Sequence, residues 1–229
     1  MSKKCLLLDV GIMDYEECLL LQEKIARARA KDKIEDTLII VEHPPTITLG
    51  RKSNGEEEIL EKEKVRKEGI KIYRVDRGGK STMHSPGQII GYPIIKLNDK
   101  REVLGYINRL EEMLREVVNF YGVKSEHIDG YRGLYIRNDG KMEKMGSIAI
   151  SVKDNVSMHG FALNVNNDLK YFSYIMACGL ENVEMTSMSK KFSRDFVISD
   201  IKNRVVGSFS KVFEYKMEKI DLAYVKKDF

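Results

Sequence analysis

A cysteine stands in the stretch Ile175-Met176-Ala177-Cys178-Gly179-Leu180, outside any regular hydrophobic period and directly before a glycine. A small, flexible neighbour leaves room for an attacking nucleophile and for a backbone N–H that stabilises an oxyanion. The free thiol pKa is about 8.5, so such a cysteine needs a basic partner to become a thiolate near neutral pH. Histidine is the usual partner, and a lysine in contact can serve instead. Spacing does not choose among His43, His84, His127, His159 and the many lysines. Cys5, in an apolar strand pattern, and Cys18, in an amphipathic one, read as small buried hydrophobes.

The segment Arg77-Gly78-Gly79-Lys80-Ser81 ends as a P-loop does. A P-loop also requires a glycine five positions before Gly79, where Arg74 stands, so nucleotide binding is not expected there. What remains is a double glycine, then Thr82, His84 and Ser85-Pro86-Gly87, between two strand patterns. Either the loop needs positive φ for its own turn, or its backbone closes on a ligand, and spacing leaves both open. His159 precedes Gly160 within a strand pattern, where glycine often marks close approach by a backbone or a ligand. Taken alone, His159 reads as a hydrogen-bonded structural residue. The histidines and cysteines show no metal-ligand spacing, so no metal is expected.

The elements that must position these groups alternate in period. Strands are expected at 5–10, 38–42, 46–49 (an edge strand), 70–75 and 88–97, with a turn-rich insert between the last two. Asp14 and Glu17 open a helix running to about residue 31, and Asp99 with Glu102 opens the clearest one. There Val103, Leu104, Ile107, Leu110, Leu114, Val117 and Val118 recur every three or four positions until Gly122. Asn138-Asp139-Gly140 between 132–137 and 144–152 is a hairpin signal, and a further strand covers 156–165. A last helix over 199–215 turns Ile201, Val205, Val206, Phe209, Val212 and Phe213 inward. The charge-dominated segment 51–70 is either a thin surface helix or a disordered loop, and in both cases a solvated face. The pattern predicts an α+β fold with a mixed, largely antiparallel sheet covered by helices, in one domain spanning 1–229.

Composition narrows the function classes. The chain has 229 residues, with 39 Lys and Arg against 35 Asp and Glu. A net charge of +4 without a basic stripe does not describe a nucleic-acid binder. Three cysteines without a CxxC pair argue against a disulfide scaffold and for a reducing, cytoplasmic setting. Asp9 interrupts the apolar stretch after the two leading lysines, so export is not expected, and no apolar run suits a membrane span.

Three blocks then identify a resemblance. VDRGGKSTMHSPGQIIGYPI (75–94) resembles the octanoyltransferase signature, in which Arg-Gly-Gly is followed by Thr, an aromatic, His-Gly-Pro-Gly-Gln and Gly-Tyr-Pro. KMGSIAISVKDNVSMHGFALNVNNDL (144–169) resembles that family's lysine strand and its His-Gly-apolar-Ala-Leu-Asn-Val strand, and IMACGL its Pro-Cys-Gly segment. The blocks follow in family order, and weaker likeness extends over most of 5–215. The resemblance implies a fold related to biotin and lipoate protein ligases, and transfer of octanoyl or lipoyl from acyl carrier protein to a lysine of a lipoyl domain. It makes Cys178 the nucleophile that becomes a thioester and Lys144 the residue that lowers its pKa and moves protons; Lys141, three residues away, does not align. Lys144 would then be neutral for part of the cycle, its pKa depressed by burial.

The acyl-binding residues it implies are Arg77, Gly78, Gly79, Lys80, Ser81, Thr82, Met83 and His84, then Ser147, Ile148 and Ala149. Gly160, Phe161 and Ala162 complete the pocket, with His159 beside it. Met83 stands where the family has an aromatic, Ser85 where it has glycine before Pro-Gly-Gln, Ala149 at a common glycine and Ala177 at the proline before the cysteine. None of these removes a reacting group, while Met83 and Ala149 are expected to bear on chain length, and Ala177 on the order of the cysteine loop. No ATP, metal or other cofactor is expected. The implied partners are acyl carrier protein and lipoyl domains of 2-oxoacid dehydrogenase complexes or the glycine cleavage H protein, acidic proteins that surplus lysine would steer. Neither nucleic acid nor membrane is expected as a partner. The rivals are an ATP-dependent lipoate ligase, which favours a Ser-Gly-Gly-Gly loop, and a non-catalytic acyl-binding protein on the same fold.

Overall fold

The computed structural model describes residues 3–99, 101–128, 130–138, 140–176 and 183–226. The chain begins with β1 (Lys3–Ile12) and α1 (Tyr15–Ala30), whose N-cap Asp14 accepts a hydrogen bond from the Glu16 N–H at 2.9 Å. β2 (Asp36–Glu42) follows, with Asp36 to Val41 all buried, as a central strand covered on both faces requires. Next come β3 (Thr46–Leu49), α2 (Lys62–Lys67), β4 (Lys71–Arg74), β5 (Ser81–His84) and β6 (Gln88–Ile94). After α3 (Glu102–Phe120) the strands β7 (Ser125–Ile128), β8 (Tyr131–Asn138), β9 (Lys141–Lys153) and β10 (Val156–Asn164) run as hairpins. The chain closes with β11 (Val183–Met185), α4 (Met188–Phe192), α5 (Ile198–Phe213), β12 (Tyr215–Lys219) and α6 (Leu222–Lys226).

The large sheet has the order β12-β1-β2-β6-β10-β9-β8-β7, with β11 added to β9. Pairing is antiparallel from β2 to β7 and parallel for β12 with β1, β1 with β2, and β11 with β9. Period-two alternation assigns its two faces. Leu38 and Ile40 join Ile89, Leu163, Leu110, Leu114, Val205 and Phe209 in the main core beneath α3 and α5. Ile39 and Val41 join Cys18, Ile25, Ile90 and Ile94 against α1 on the other face. Full burial of each such side chain stabilises the fold by about 2 kcal/mol before conformational entropy is counted. A second sheet, β4-β3-β5, carries its own cluster of Ile47, Leu49, Met83, Phe172 and Tyr174. No helix among the described residues is long and apolar enough to cross a membrane.

Several expectations need correction. Thr46–Leu49 is central in its sheet rather than an edge strand, because the turn-rich insert itself supplies β5, paired antiparallel to β3. Segment 51–70 is neither loop nor long helix but a 3-10 turn at Gly55–Glu58 followed by α2, with Ile59 and Val65 buried in the small cluster and Leu60 exposed. It is not wholly a solvated face either, since Glu58 is buried. Leu104 falls on the outer face of α3 and is exposed. The hairpin holds, with Asn138 paired to Lys141, while Asp139 lies outside the described residues. The last helix ends at Phe213 and Tyr215 instead opens β12, whose sequence YKMEK alternates only weakly; Tyr215 holds it in place through an O–H donated to Asp36 at 2.6 Å.

Candidate active site

Small residues on facing strands open a slot across the large sheet. Ser147 pairs with Ala162 and Ala149 with Gly160 between β9 and β10, and Ile90 of β6 pairs with Ala162 on the far side. A cavity of about 460 Å³ lies over them. Ile148 and Phe161 also border it, although their side chains belong to the main core. The floor is tight at one point: a Cβ on Gly160 would stand 2.2 Å from the Gly91 carbonyl oxygen.

The loop of Arg77, Gly78, Gly79 and Lys80 covers the slot, and its arginine acts as the loop's own scaffold. Arg77 is 5% exposed and donates to the Gly78 and Lys80 carbonyls at 2.9 Å each, and to the Thr48 carbonyl at 2.7 Å. The Gly78 N–H donates to the Ile150 carbonyl at 3.0 Å, which ties the loop to the floor. Gly50 lets the loop approach β3, since a Cβ there would meet the Gly79 oxygen at 2.5 Å. Asp76, just before the loop, accepts from His159 Nε2 at 2.8 Å. His159 adopts φ 57° inside a strand, a costly conformation outside glycine, with its N–H donated to Gln22 Oε1 at 3.0 Å.

Lys144 lines the same cavity at 5% exposure, with Nζ 5.2 Å from the centre of the Tyr135 ring. Gly133 makes room for it, because a Cβ there would lie 3.1 Å from Lys144 Cε. Lys141 is exposed and pairs with Glu184 at 3.6 Å, away from the cavity. The candidate nucleophile Cys178 and its neighbour Ala177 lie outside the described residues. Cys5 and Cys18 are fully buried and free, and burial pushes the Cys18 thiol up to about 12.

Tyr15, His84 and Tyr92 form another stretch of wall. His84 stacks on Tyr15 with ring planes 12° apart and donates from Nδ1 to Gln88 Oε1 at 2.8 Å. His43 donates from Nδ1 to the Met13 carbonyl and accepts at Nε2 from the Tyr92 hydroxyl at 2.9 Å. Burial lowers His43 to about 4; burial, and then the neighbouring His43, lower His84 to about 3. Both are therefore neutral at physiological pH and leave this wall uncharged.

The unfolded chain takes up these two protons near its ordinary histidine pKa, about 6.5, while the folded chain does not. Stability should be full above about pH 6.5 and fall as pH drops towards about 4. At about 1.4 kcal/mol per pH unit per group, roughly 4 kcal/mol should be lost by about pH 5. Urea unfolding at about pH 7.5 and about pH 5 measures this, and equal stabilities would exclude it.

Of the residues expected to bind the acyl group, Arg77 through Thr82, His84, Ser147 to Ala149 and His159 to Ala162 all line the cavity. Met83 does not. It alternates to the opposite face of β5 from Thr82 and His84 and is fully buried in the small cluster, so, contrary to expectation, it does not border the tunnel. Sequence reasoning missed Tyr15, Tyr92, Tyr131, Arg132 and Tyr135 as lining residues. Tyr92 stood within the Gly-Tyr-Pro block and was the readable one.

The fold is that of enzymes that attach lipoate. It superposes on a bipartite lipoate protein ligase from Thermoplasma acidophilum with a TM-score of 0.75 at 16% identity, covering 97% of this chain and 88% of that one. A lipoate-protein ligase A bound with ATP gives the same score and identity over 97% of this chain and 90% of its own. At these identities the likeness speaks for fold alone. Sequence goes further. The octanoyltransferase of Desulforamulus reducens is 35% identical over 214 residues, 93% of this chain and 92% of that protein. That of Dictyoglomus thermophilum is 38% identical over 214 residues, 93% and 89% of the two. With residues 14–210 matching the lipoyl protein ligase A/B catalytic domain, the chain belongs to that family and, within it, to the octanoyltransferases.

Proposed function

We propose that the chain carries octanoyl from acyl carrier protein to a lipoyl-domain lysine through a thioester on Cys178, with Lys144 handling the protons. The observation that carries this reading is the buried Lys144 amine in the wall of a slot floored by Ser147, Ala149, Gly160 and Ala162. In the first half-reaction Lys144 takes the thiol proton, and the Cys178 thiolate attacks the thioester carbonyl of the donor. Collapse of the tetrahedral oxyanion expels the pantetheine thiol, which receives the proton back from Lys144. In the second half, the acceptor amine attacks the enzyme thioester and gives up a proton to Lys144, and Cys178 leaves as a thiolate that takes that proton back from Lys144. One thioester becomes another at little cost and then a more stable amide, so no ATP is required. Backbone N–H groups supply the oxyanion donors.

Membership of the family implies proteins that accept lipoyl groups. The lipoyl domains of 2-oxoacid dehydrogenase complexes or the glycine cleavage H protein are the acceptors this reading names. Lys52 and Arg132 beside the cavity would favour acidic partners there.

Intact-mass spectrometry after incubation with octanoyl-acyl carrier protein, without ATP, tests the proposal. A hydroxylamine-labile octanoyl adduct is expected on the wild type and no thioester on Cys178→Ser. Octanoylation of a lipoyl domain that occurs only with free octanoate and ATP would make the chain a ligase instead.

Chain-length preference offers a second check. Ala149→Leu projects into the slot beside Gly160 and should slow octanoyl acylation by about tenfold or more, while a butyryl donor is largely spared. Equal losses for both donors would mean that Ala149 does not border the acyl tail.

A further inference from the structure

The charge-rich segment 51–70 contains one acidic side chain that solvent hardly reaches. Glu58 ends the 3-10 turn at 2% exposure, and its carboxylate accepts three hydrogen bonds. Oε1 takes the Asn54 N–H at 3.0 Å, while Oε2 takes the Ser53 hydroxyl at 2.9 Å and the Ser81 N–H at 2.8 Å. No lysine or arginine among the described residues forms a salt bridge with it. Burial works against its charge, but the hydrogen bonds from Asn54, Ser81 and Ser53 outweigh it and hold the carboxyl below its usual range, so a fixed charge stands here and points to a role.

Its surroundings supply one. The Glu58 carbonyl accepts from the Met176 N–H at 2.7 Å, and the Ser81 hydroxyl donates to the Met176 carbonyl at 3.0 Å. Ile59 bridges Ile175, and the Leu60 N–H reaches the Tyr174 carbonyl at 2.8 Å. Ser81 directly follows the glycine loop over the acyl slot, and Met176 stands two residues before Cys178 in the chain. On the downstream side, the Thr186 N–H donates to the Lys144 carbonyl at 2.9 Å, and Asn164 Nδ2 donates to the Thr186 carbonyl at 2.9 Å. The chain is thus tied to the acyl loop before the cysteine and to the lysine strand after it.

We propose that Glu58 is a positioning residue for acyl transfer: its carboxylate fixes Ser81 of the acyl loop, whose hydroxyl holds the Met176 carbonyl, and its own backbone carbonyl holds the Met176 N–H of the cysteine segment. The inference rests on Cys178 being the nucleophile. Glu58 touches neither substrate nor reacting atoms and acts through these two residues. Three donors converge on the carboxylate, which has acceptors only. Glu58→Gln would turn an amide N–H₂ towards at least one of them and shift the anchor.

The test compares wild type, Glu58→Gln and, as control, Glu57→Gln at an exposed neighbouring position. Single-turnover thioester formation from octanoyl-acyl carrier protein is followed by intact mass over a range of donor concentrations. Protection of Cys5 and Cys18 from iodoacetamide reports whether each variant remains folded. A misplacement of about 1 Å can cost about 100-fold, so Glu58→Gln should acylate roughly 10- to 100-fold more slowly at saturation. Its half-saturating donor concentration should change by less than about threefold, because the slot itself is intact. Glu57→Gln should match wild type.

A folded Glu58→Gln with a wild-type rate overturns the proposal, as does a loss confined to donor affinity. If Glu58→Gln fails to protect Cys5 and Cys18, Glu58→Asp decides, since it keeps the charge but draws the carboxylate back from the Ser81 N–H. Slowing by about tenfold supports the role, and a wild-type rate refutes it. A wild type that forms no thioester overturns the reading of Cys178 and the role of Glu58 together, whereas an active wild type with an equally active Glu58→Gln overturns only the latter.

Discussion

Lys144→Met is expected to slow thioester formation on Cys178 by a factor of about 10² to 10⁴, the usual worth of a positioned acid–base group. The side chain lies in the cavity wall at 5% exposure, beside the Tyr135 ring and over Gly133, so methionine occupies nearly the same volume and the fold should persist. The distinguishing readout is the pH profile. If lysine serves to remove the thiol proton, the deficit should shrink above about pH 8.5, where an unassisted thiol ionises. Rapid-quench intact-mass measurements from about pH 6.5 to about pH 9.5 give the profile. A deficit of the same size at every pH would mean that Lys144 positions the donor and carries no proton.

Gly160→Ala should be among the most damaging methyl additions at the described glycines. The added Cβ would stand 2.2 Å from the Gly91 oxygen and 2.6 Å from Pro93 Cδ, and both belong to the neighbouring strand rather than to a flexible side chain. Relief requires β10 to move away from β6 in the middle of the sheet. A loss of about 3 kcal/mol or more is expected, with acylation impaired because Gly160 also floors the slot. Urea unfolding measures the first effect. A change of less than about 1 kcal/mol would show that the two strands separate easily, and the rigid floor would have to be abandoned.

The parts of this fold that sequence could disclose are those with one dominant period. The run Leu38–Val41 is apolar on both faces and is a central strand, and Tyr106 to Val118 of α3 bury every third or fourth residue. The acyl loop and the lysine strand were legible because they carry unusual residue types in a fixed order. Met83 misled because a motif marks adjacency in the chain, whereas β alternation sends neighbours to opposite faces. Glu58 was hidden among acidic neighbours of identical composition, since burial there depends on Ser81 and Met176, which are remote in sequence. Tyr15 is likewise brought to the cavity wall by stacking on Tyr73 and His84, which are remote in sequence.

The floor formed by Gly160 against Gly91 makes the acyl slot a ruler with a fixed base. Glycine has no smaller replacement, so neither Gly160 nor Gly91 can be trimmed to admit a longer tail. Ala149 and Ser147 can be enlarged, and each enlargement shortens the scale. Cutting Ser147, Ala149 or Ala162 to glycine removes only a small group, and a larger gain at Tyr15, Tyr92 or Ile90 exposes the buried histidine cluster or opens a void against α1. Single substitutions therefore move this protein readily towards shorter acyl groups, while a move towards longer ones needs compensating changes elsewhere in the wall.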